Sequence, residues 1–225
     1  MLSDPAPTAA FTALLRFLEQ APLTATIGVL ERTLEGSTRA GIPTLLERNG
    51  VTAELLAAAI VLREHVGRLN DIIHACAISL ALPNLLDADE VLRRPSLAAG
   101  NDPSRPYDIE TDRRIAEFKL ARWDGHDATR KRQLVKDLVH LAADQSGRSP
   151  ELYVLGDRPR HFLQTTRASV AWALDRSPST RALYKTRFGN LDVPIPTFVE
   201  GAARVVNVID LYDRLPDLIE LPSTG

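Results

Sequence analysis

Apolar residues recur at helical spacing through the first part of the chain. Residues 11–18 and 27–34, separated by Pro22, each place apolar side chains three and four positions apart, as amphipathic helices do. Thr52 is a suitable N-cap for a longer helix, which we expect to run to Leu82 and to end at Pro83. The pattern over residues 11–82 predicts a layer of helices and indicates no particular function.

The periodicity changes between Asp87 and Trp123. Two short runs, at residues 105–111 and 114–123, alternate in character and are separated by Asp112 and Arg113. Alternating runs joined by a short connection predict a β-hairpin. Asp-Arg is not a favoured two-residue turn, so a longer loop is the alternative.

The other elements follow from the same periodicities. We expect helices over 128–145, 162–174, 180–187 and 198–212, and strands near 91–97 and over 151–156. The order helix, strand, hairpin, helix, strand predicts an α/β fold with a mixed sheet flanked by helices. We divide it into an N-terminal helical extension (1–50), an α/β core (51–157) and a C-terminal helical segment packed on the core (158–225).

Composition narrows the class of protein. The chain has 225 residues, of which 44% are hydrophobic and 25% charged, with a net charge of −2. These values are typical of a globular protein and exclude a disordered or collagen-like chain. The single cysteine, Cys76, excludes an internal disulfide and a multi-cysteine metal site.

No membrane or export segment is evident. The N-terminus lacks the basic start and apolar stretch of a secretory signal. The longest nearly apolar run, residues 52–62, contains Glu54 and is too short to span a bilayer. We therefore expect a cytoplasmic protein without a membrane partner.

The predicted hairpin concentrates charge at one place. Alternation puts Asp108, Glu110 and Asp112 on one strand face, and Glu117 with Lys119 on one face of the second strand. A symmetric turn places Asp108 opposite Glu117, with Cβ atoms about 5 Å apart. Two facing carboxylates repel unless a cation lies between them. A divalent ion such as Mg²⁺ or Mn²⁺ would remove that repulsion.

The residues Asp108, Glu117 and Lys119, the last two within the triplet Glu-Phe-Lys, resemble the motif of the PD-(D/E)xK phosphodiesterase superfamily. Its members include restriction endonucleases and repair nucleases. The departures are a proline at Pro106 rather than directly before the aspartate, and a short interval between Asp108 and Glu117. The resemblance implies a restriction-endonuclease-like core. It also implies Mg²⁺ or Mn²⁺ held by Asp108, Glu117 and the backbone carbonyl of Phe118, with Lys119 positioning the attacking water.

Some members of this superfamily add a polar residue from the preceding helix or from the helix after the hairpin. Asn70 and His74 are four residues apart and share a helix face, with Glu64 as an alternative. After the hairpin, Gln133 and Lys136 are neighbours on the next helix and are candidates for contact with the scissile phosphate. Ordinary solvated polar helix faces are the structural alternative for both sets.

Charge is segregated along the chain. Residues 158–187 contain seven Arg or Lys against one acid, whereas residues 188–225 contain six acids against two bases. A basic segment beside an acidic pair is typical of a surface that follows phosphates, although a contact between basic and acidic helices has the same pattern. The candidate DNA contacts are Arg130, Arg132, Arg158, Arg160 and Arg167.

Together these features predict a metal-dependent endonuclease acting on duplex DNA in restriction, defence or repair, and the resemblance implies a homodimer. Three alternatives stay open at this point. The hairpin is an exposed, salt-bridged structural element; the chain is a catalytically inactive nuclease-fold protein that binds DNA or serves as a scaffold; or the terminal helices form an obligate dimer that docks an unrelated enzyme.

Overall fold

The fold comes from a computed structural model that describes residues 6–19, 21–35, 39, 41–66, 69–97, 106–121, 123 and 128–214, without the side chains of residues 24, 64 and 65. The chain divides into two compact units, Met1–Asn70 and Asp71–Gly225. Each unit has its own apolar core. In the described ranges, no helix combines the length and apolar character that crossing a bilayer requires.

The first unit is helical, as predicted. Its helices are α1 (Pro7–Leu18), α2 (Leu23–Leu34), α3 (Ile42–Arg48) and α4 (Ala53–Val66). Ala10 of α1 packs with Ala58, Val61 and Leu62 of α4. The predicted N-cap is confirmed, because the Leu55 N–H donates to Thr52 Oγ1 at 3.1 Å.

The predicted end of the helix that begins after Thr52 is wrong. The described residues are helical over α4 (Ala53–Val66) and α5 (Leu69–Leu85), and residues 67 and 68 lie outside the described ranges. Pro83 lies inside α5 rather than ending it. In the last turn of a helix, a proline costs only one backbone hydrogen bond, so the helix continues for two more residues.

The second unit holds a five-stranded sheet. Its strands are β1 (Leu92–Pro95), β2 (Ile109–Thr111), β3 (Arg114–Lys119), β4 (Ser149–Val154) and β5 (Asn207–Asp210). After α5, its helices are α6 (Ala128–Ala143), α7 (Asp157–Thr165), α8 (Val170–Ala173), α9 (Pro178–Phe188) and α10 (Ile195–Glu200). The fold is therefore α/β with a mixed open sheet flanked by helices, which confirms the predicted class.

The sheet has the order β1-β2-β3-β4-β5, so β3 is its central strand. The pairs β1–β2 and β2–β3 are antiparallel, and the pairs β3–β4 and β4–β5 are parallel. Helix α6 is the crossover that parallel pairing of β3 with β4 requires. The predicted hairpin register is confirmed by the pairs Ile109 with Ala116 and Glu110 with Ile115.

Helices cover both faces of the sheet. Helix α5 packs on one face, where its buried residues meet alternate residues of the strands: Ile78, Ala81 and Leu85 with Ile109, Ala116, Phe118 and Tyr153. Helix α6 packs on the other face, where Leu134 and Leu138 share a core with Ile115, Leu152 and Val154. Residues of α7 to α10 join the α6 core, and β5 adds a strand at the edge of the sheet beside β4. The predicted boundaries at residues 50 and 157 remain predictions.

The hairpin turn consists of only Asp112 and Arg113. The Thr111 hydroxyl accepts hydrogen bonds from the N–H groups of Arg113, at 3.0 Å, and Arg114, at 2.8 Å. Side-chain capping of a turn by threonine replaces the backbone bonds that a glycine-containing turn would make. The sequence therefore tolerates Asp-Arg, and the longer loop is not needed.

A buried ionic network ties the start of β3 to its neighbours. The Arg114 guanidinium donates to Glu90 at 2.6 Å and lies 3.2 Å from Glu151. Burial alone would raise the pKa of Glu90, but hydrogen bonds from Arg114 and Thr111 outweigh it and lower that pKa to about 2. The network belongs to the end of β3 opposite Lys119, so it anchors the strand without contacting the candidate site.

Two predicted C-terminal helices are wrong in detail. The helix expected over 162–174 is split, because Thr166 is extended and Ser169 starts α8 by accepting a hydrogen bond from the Trp172 N–H. The helix expected over 198–212 is replaced by α10, a 3₁₀ turn and β5. At Gly201 an added Cβ would lie 3.0 Å from the Thr197 carbonyl oxygen, and after this glycine the chain pairs with the open edge of β4.

Candidate active site

Glu117 and Lys119 lie on the central strand β3, on the face that α6 covers. They are two residues apart, so alternation along the strand points both side chains to the same side. Lys119 Nζ lies 3.2 Å from Glu117 Oε2, and both side chains are mostly buried. The alternative of an exposed hairpin is wrong, because β2 is buried and β3 is flanked on both sides.

Asp108 directly precedes β2, where the antiparallel ladder ends. Its Oδ2 accepts the Phe118 N–H at 2.8 Å, in place of a backbone carbonyl of the neighbouring strand. Asp108 therefore reaches the residue next to Glu117, as the register predicts. The predicted common face of Asp108, Glu110 and Asp112 is wrong: Asp108 contacts α5, whereas Glu110 pairs with Arg148 at 3.0 Å. Alternation fails because β2 begins only at Ile109.

His74, predicted as an accessory residue, contacts the same carboxylate from α5. Its Nε2 lies 3.2 Å from Asp108 Oδ2, and its Nδ1 lies 3.2 Å from the Leu97 carbonyl oxygen. Both neighbours are acceptors, so both ring nitrogens must donate, which requires the imidazolium form. Burial alone would lower the pKa of His74, but the hydrogen bond to Asp108 and its charge raise it.

The other candidates around α5 do not join this contact. Asn70 is exposed on the surface of α5. The side chain of Glu64, the predicted alternative, lies outside the described residues. His74 is therefore the member of this set that the fold brings to Asp108.

Asp137 of α6 is a member of the cluster that the sequence patterns did not identify. Its Oδ2 lies 2.7 Å from Lys119 Nζ, closer than the carboxylate of Glu117. Asp137 is buried, although it lies on the helix face that carries Leu134, Leu138 and Leu141. A carboxylate within an apolar helical stripe is the sequence signal that could have identified it, because a buried acid requires a partner.

Gln133 and Lys136, the predicted candidates on α6, have different surroundings. The Gln133 amide donates to both oxygens of Asp137, at 3.0 and 3.2 Å, so Gln133 joins the cluster through Asp137. Lys136 is half-buried, and no ion pair joins it to another described residue. Three carboxyl groups, one ammonium and one imidazolium thus surround the end of β3.

The electrostatics of the cluster follow from this crowding. Burial, together with the charges of Asp137 and Asp108, raises the pKa of Glu117 to about 8, although Lys119 opposes the shift. Burial alone would lower the pKa of Lys119, but the adjacent Asp137 and Glu117 carboxylates raise it well above its usual range. Glu117 is therefore the carboxyl that holds a proton near neutral pH, while Lys119 stays charged.

The predicted DNA-contacting arginines are mostly engaged within the protein. Arg132 stacks over the Trp172 ring at 4.7 Å and pairs with Asp175, and Arg158 donates to the Trp123 carbonyl oxygen. Arg160 pairs with Asp157 and lies 3.6 Å from Asp210. Arg130 is half-buried in the first turn of α6, and Arg167 is exposed. These positions neither support nor oppose contact with a nucleic acid.

The donor set suits a hard divalent cation held by two groups. Mg²⁺ takes oxygen ligands and binds through one or two carboxylates while it keeps several waters, and Asp108 and Glu117 supply two carboxylates. A cation there would favour the ionised form of Glu117, which burial and the Asp137 and Asp108 charges oppose. Within the described part of the chain, no group of three or more His, Cys, Asp or Glu side chains is arranged to hold a metal ion.

Comparison with known proteins identifies no relative. No protein family matches this chain, and neither the curated proteins nor the solved structures include one that is significantly similar to it.

Proposed function

We propose that this protein is a metal-dependent nuclease that hydrolyses phosphodiester bonds in duplex DNA. The proposal is carried by one observation: Asp108 accepts the N–H of Phe118, the residue between Glu117 and Lys119, and the Glu117 and Lys119 side chains lie 3.2 Å apart. Two carboxylates on paired strands, with an ammonium beside one of them, are groups that can hold a divalent cation and assist phosphodiester hydrolysis. In this proposal Asp108 and Glu117 hold Mg²⁺ or Mn²⁺, with the Phe118 carbonyl as a further ligand.

Each residue has a distinct task. The bound cation would polarise the phosphate and lower the pKa of an attacking water. Asp108 is held for this task by the Phe118 N–H and His74. Glu117 would hold the cation as the carboxylate, with its proton released to solvent. Lys119 keeps its ammonium beside Glu117, where it orients the water and balances the charge of the phosphate.

The arrangement of the second unit also supports the proposal. Helix α5, strand β1, the β2–β3 hairpin, crossover helix α6 and parallel strand β4 follow in the order expected of a restriction-endonuclease-like core. The site lies on the central strand, between α5 and α6. We propose that this is the core of such a nuclease, with β5 and helices α7 to α10 as additions.

The test is cleavage of supercoiled and linear duplex DNA by the purified protein in Mg²⁺, Mn²⁺ or EDTA. We expect cleavage that requires the metal, and a loss of at least 100-fold in Asp108→Ala and Lys119→Ala. Asp192→Ala and Lys185→Ala are the matched controls, because they remove exposed residues of the same types outside the hairpin. Full activity in Asp108→Ala or Lys119→Ala would exclude the proposed site.

A second candidate is a DNA-binding or scaffold protein without catalysis. It is favoured by the internal pairing of the cluster, in which Lys119 is held by Asp137 and Asp108 by His74. Fluorescence anisotropy with labelled duplex in EDTA tests this candidate. Tight binding without metal, combined with no Mn²⁺ binding by the wild type, would favour it over the nuclease.

A further inference from the structure

We infer that Asp137 is a positioning residue that holds the Lys119 ammonium in the active site. This inference rests on the proposed nuclease function and adds a residue to it. The two groups lie 2.7 Å apart, the shortest ion pair that Lys119 makes with a described residue. Asp137 comes from α6, 18 positions along the chain, so the contact exists only because α6 packs on the sheet.

Asp137 is itself held in place. Its side chain is about one-tenth exposed, and the Gln133 amide donates to both of its oxygens from one helical turn earlier. Residues four apart on a helix are neighbours, so the Gln133 amide helps to orient this carboxylate from within α6. Gln133 thereby acts through Asp137 rather than through direct contact with a phosphate.

Lys119 needs a partner besides Glu117, because the proposed function assigns Glu117 to the metal ion. A lysine ammonium sits on a flexible four-carbon stem and is a point charge without a fixed direction. In the metal-bound enzyme the Glu117 carboxylate would be shared with the cation, which would weaken its hold on Lys119. Asp137 keeps the ammonium beside Glu117 in that state. Asp137 contacts the ammonium from α6, whereas Glu117 contacts it from β3. Partners on two different elements fix the direction of the Lys119 side chain as well as its distance from Glu117.

A different role for Asp137, as a third carboxylate ligand of the metal, makes a distinct prediction. A ligand is needed for metal binding, whereas a positioning residue is needed for turnover. Mn²⁺ affinity therefore separates the two roles. We expect Asp137→Asn to bind Mn²⁺ within about threefold of the wild type, whereas Asp108→Ala binds it at least tenfold more weakly.

The position of Lys119 is measured directly by chemical labelling. The chain has only four lysines, Lys119, Lys131, Lys136 and Lys185, so competitive acetylation followed by mass spectrometry reports on each one. We expect Lys119 to react slowest in the wild type, and at least fivefold faster in Asp137→Asn. Lys185 should keep its rate. Asp192→Asn, which changes an exposed aspartate, is the matched control.

Kinetics test the consequence for catalysis. We expect Asp137→Asn to lower kcat at least tenfold with little change in KM, and Asp137→Glu to restore part of it. Gln133→Ala should produce a smaller change of the same kind. If Asp137→Asn does not fold, as judged by circular dichroism, the labelling and kinetic measurements are made on Asp137→Glu and Gln133→Ala instead.

The outcomes separate the two proposals. An unchanged Lys119 labelling rate in folded Asp137→Asn, a full kcat, or a loss of Mn²⁺ affinity equal to that of Asp108→Ala would overturn the positioning role while wild-type cleavage stands. Absence of cleavage by the wild type would instead overturn the nuclease and the catalytic part of this role. In that case, faster Lys119 labelling in Asp137→Asn would still show that Asp137 holds the Lys119 ammonium in place.

Discussion

Glu117 is the residue whose chemistry depends most on its neighbours. An ordinary surface glutamate is charged at neutral pH, but burial and the Asp137 and Asp108 charges raise the pKa of Glu117 to about 8. The folded protein therefore binds the proton of the Glu117 carboxyl group more tightly than the unfolded chain does. One unit of such a difference corresponds to about 1.4 kcal/mol of stability.

This difference predicts a pH dependence of stability. A carboxyl with a raised pKa binds more protons in the folded state between its unfolded pKa, near 4.5, and its folded pKa, near 8. The free energy of unfolding therefore falls as pH rises through this window. We expect wild type to lose stability relative to Glu117→Gln between pH 5 and 8, measured by urea unfolding.

The control for this measurement is Glu200→Gln, which changes an exposed glutamate of α10. Its stability should remain parallel to that of the wild type across the same pH range. A constant difference between Glu117→Gln and the wild type from pH 5 to 8 would show that Glu117 has an ordinary pKa.

At the scale of the element, the β2–β3 hairpin depends on one threonine. Thr111 is buried, and its hydroxyl accepts two backbone N–H groups of the turn and donates to Glu90. The turn orients both strands, and with them Asp108 and Glu117. A substitution that alters the turn is therefore expected to displace Asp108 and Glu117.

We expect Thr111→Val to lower the free energy of unfolding by about 1–3 kcal/mol, the typical cost of leaving buried polar groups without partners. Valine has nearly the same shape as threonine but lacks the hydroxyl. Thr111→Ser keeps the hydroxyl and should lose less. Chemical denaturation measures both, and a loss in Thr111→Ser as large as that in Thr111→Val would show that packing of the threonine methyl matters as much as the turn bonds.

At the scale of the whole molecule, the two units have separate cores. The apolar residues of the sheet and its helices pack with one another from Ala77 onward, and the core of the first unit draws on α1 and α4. The candidate site, from His74 to Asp137, lies entirely in the second unit.

This division predicts that residues 69–225 fold without the first unit. We expect this fragment to show the circular dichroism of an α/β protein and one cooperative thermal transition, with the full chain as the reference. It should also keep the Mn²⁺ affinity of the full chain. A broad, non-cooperative transition would mean that the sheet unit needs the N-terminal helices for stability.

Local features of the sequence determined much of this fold. The two alternating runs and the short interval between them specified the hairpin, because strand periodicity and a two-residue turn leave one register. That register brought Asp108 to the strand that carries Glu117 and Lys119. The helices α6 and α9 and the strands β1 and β4 also lie where the periodicity of the sequence predicts them.

Only the tertiary structure decided the rest. Helical spacing over residues 198–212 predicted a helix, but the open edge of β4 recruits residues 207–210 as a strand, since unpaired backbone groups at a sheet edge gain hydrogen bonds from a new neighbour. The contact of Asp137 with Lys119 likewise depends on the packing of α6 across the sheet. The sequence by itself determined which residues alternate, cap and turn; long-range packing decided which charged groups meet, because their contact energy depends on distances that no local pattern contains.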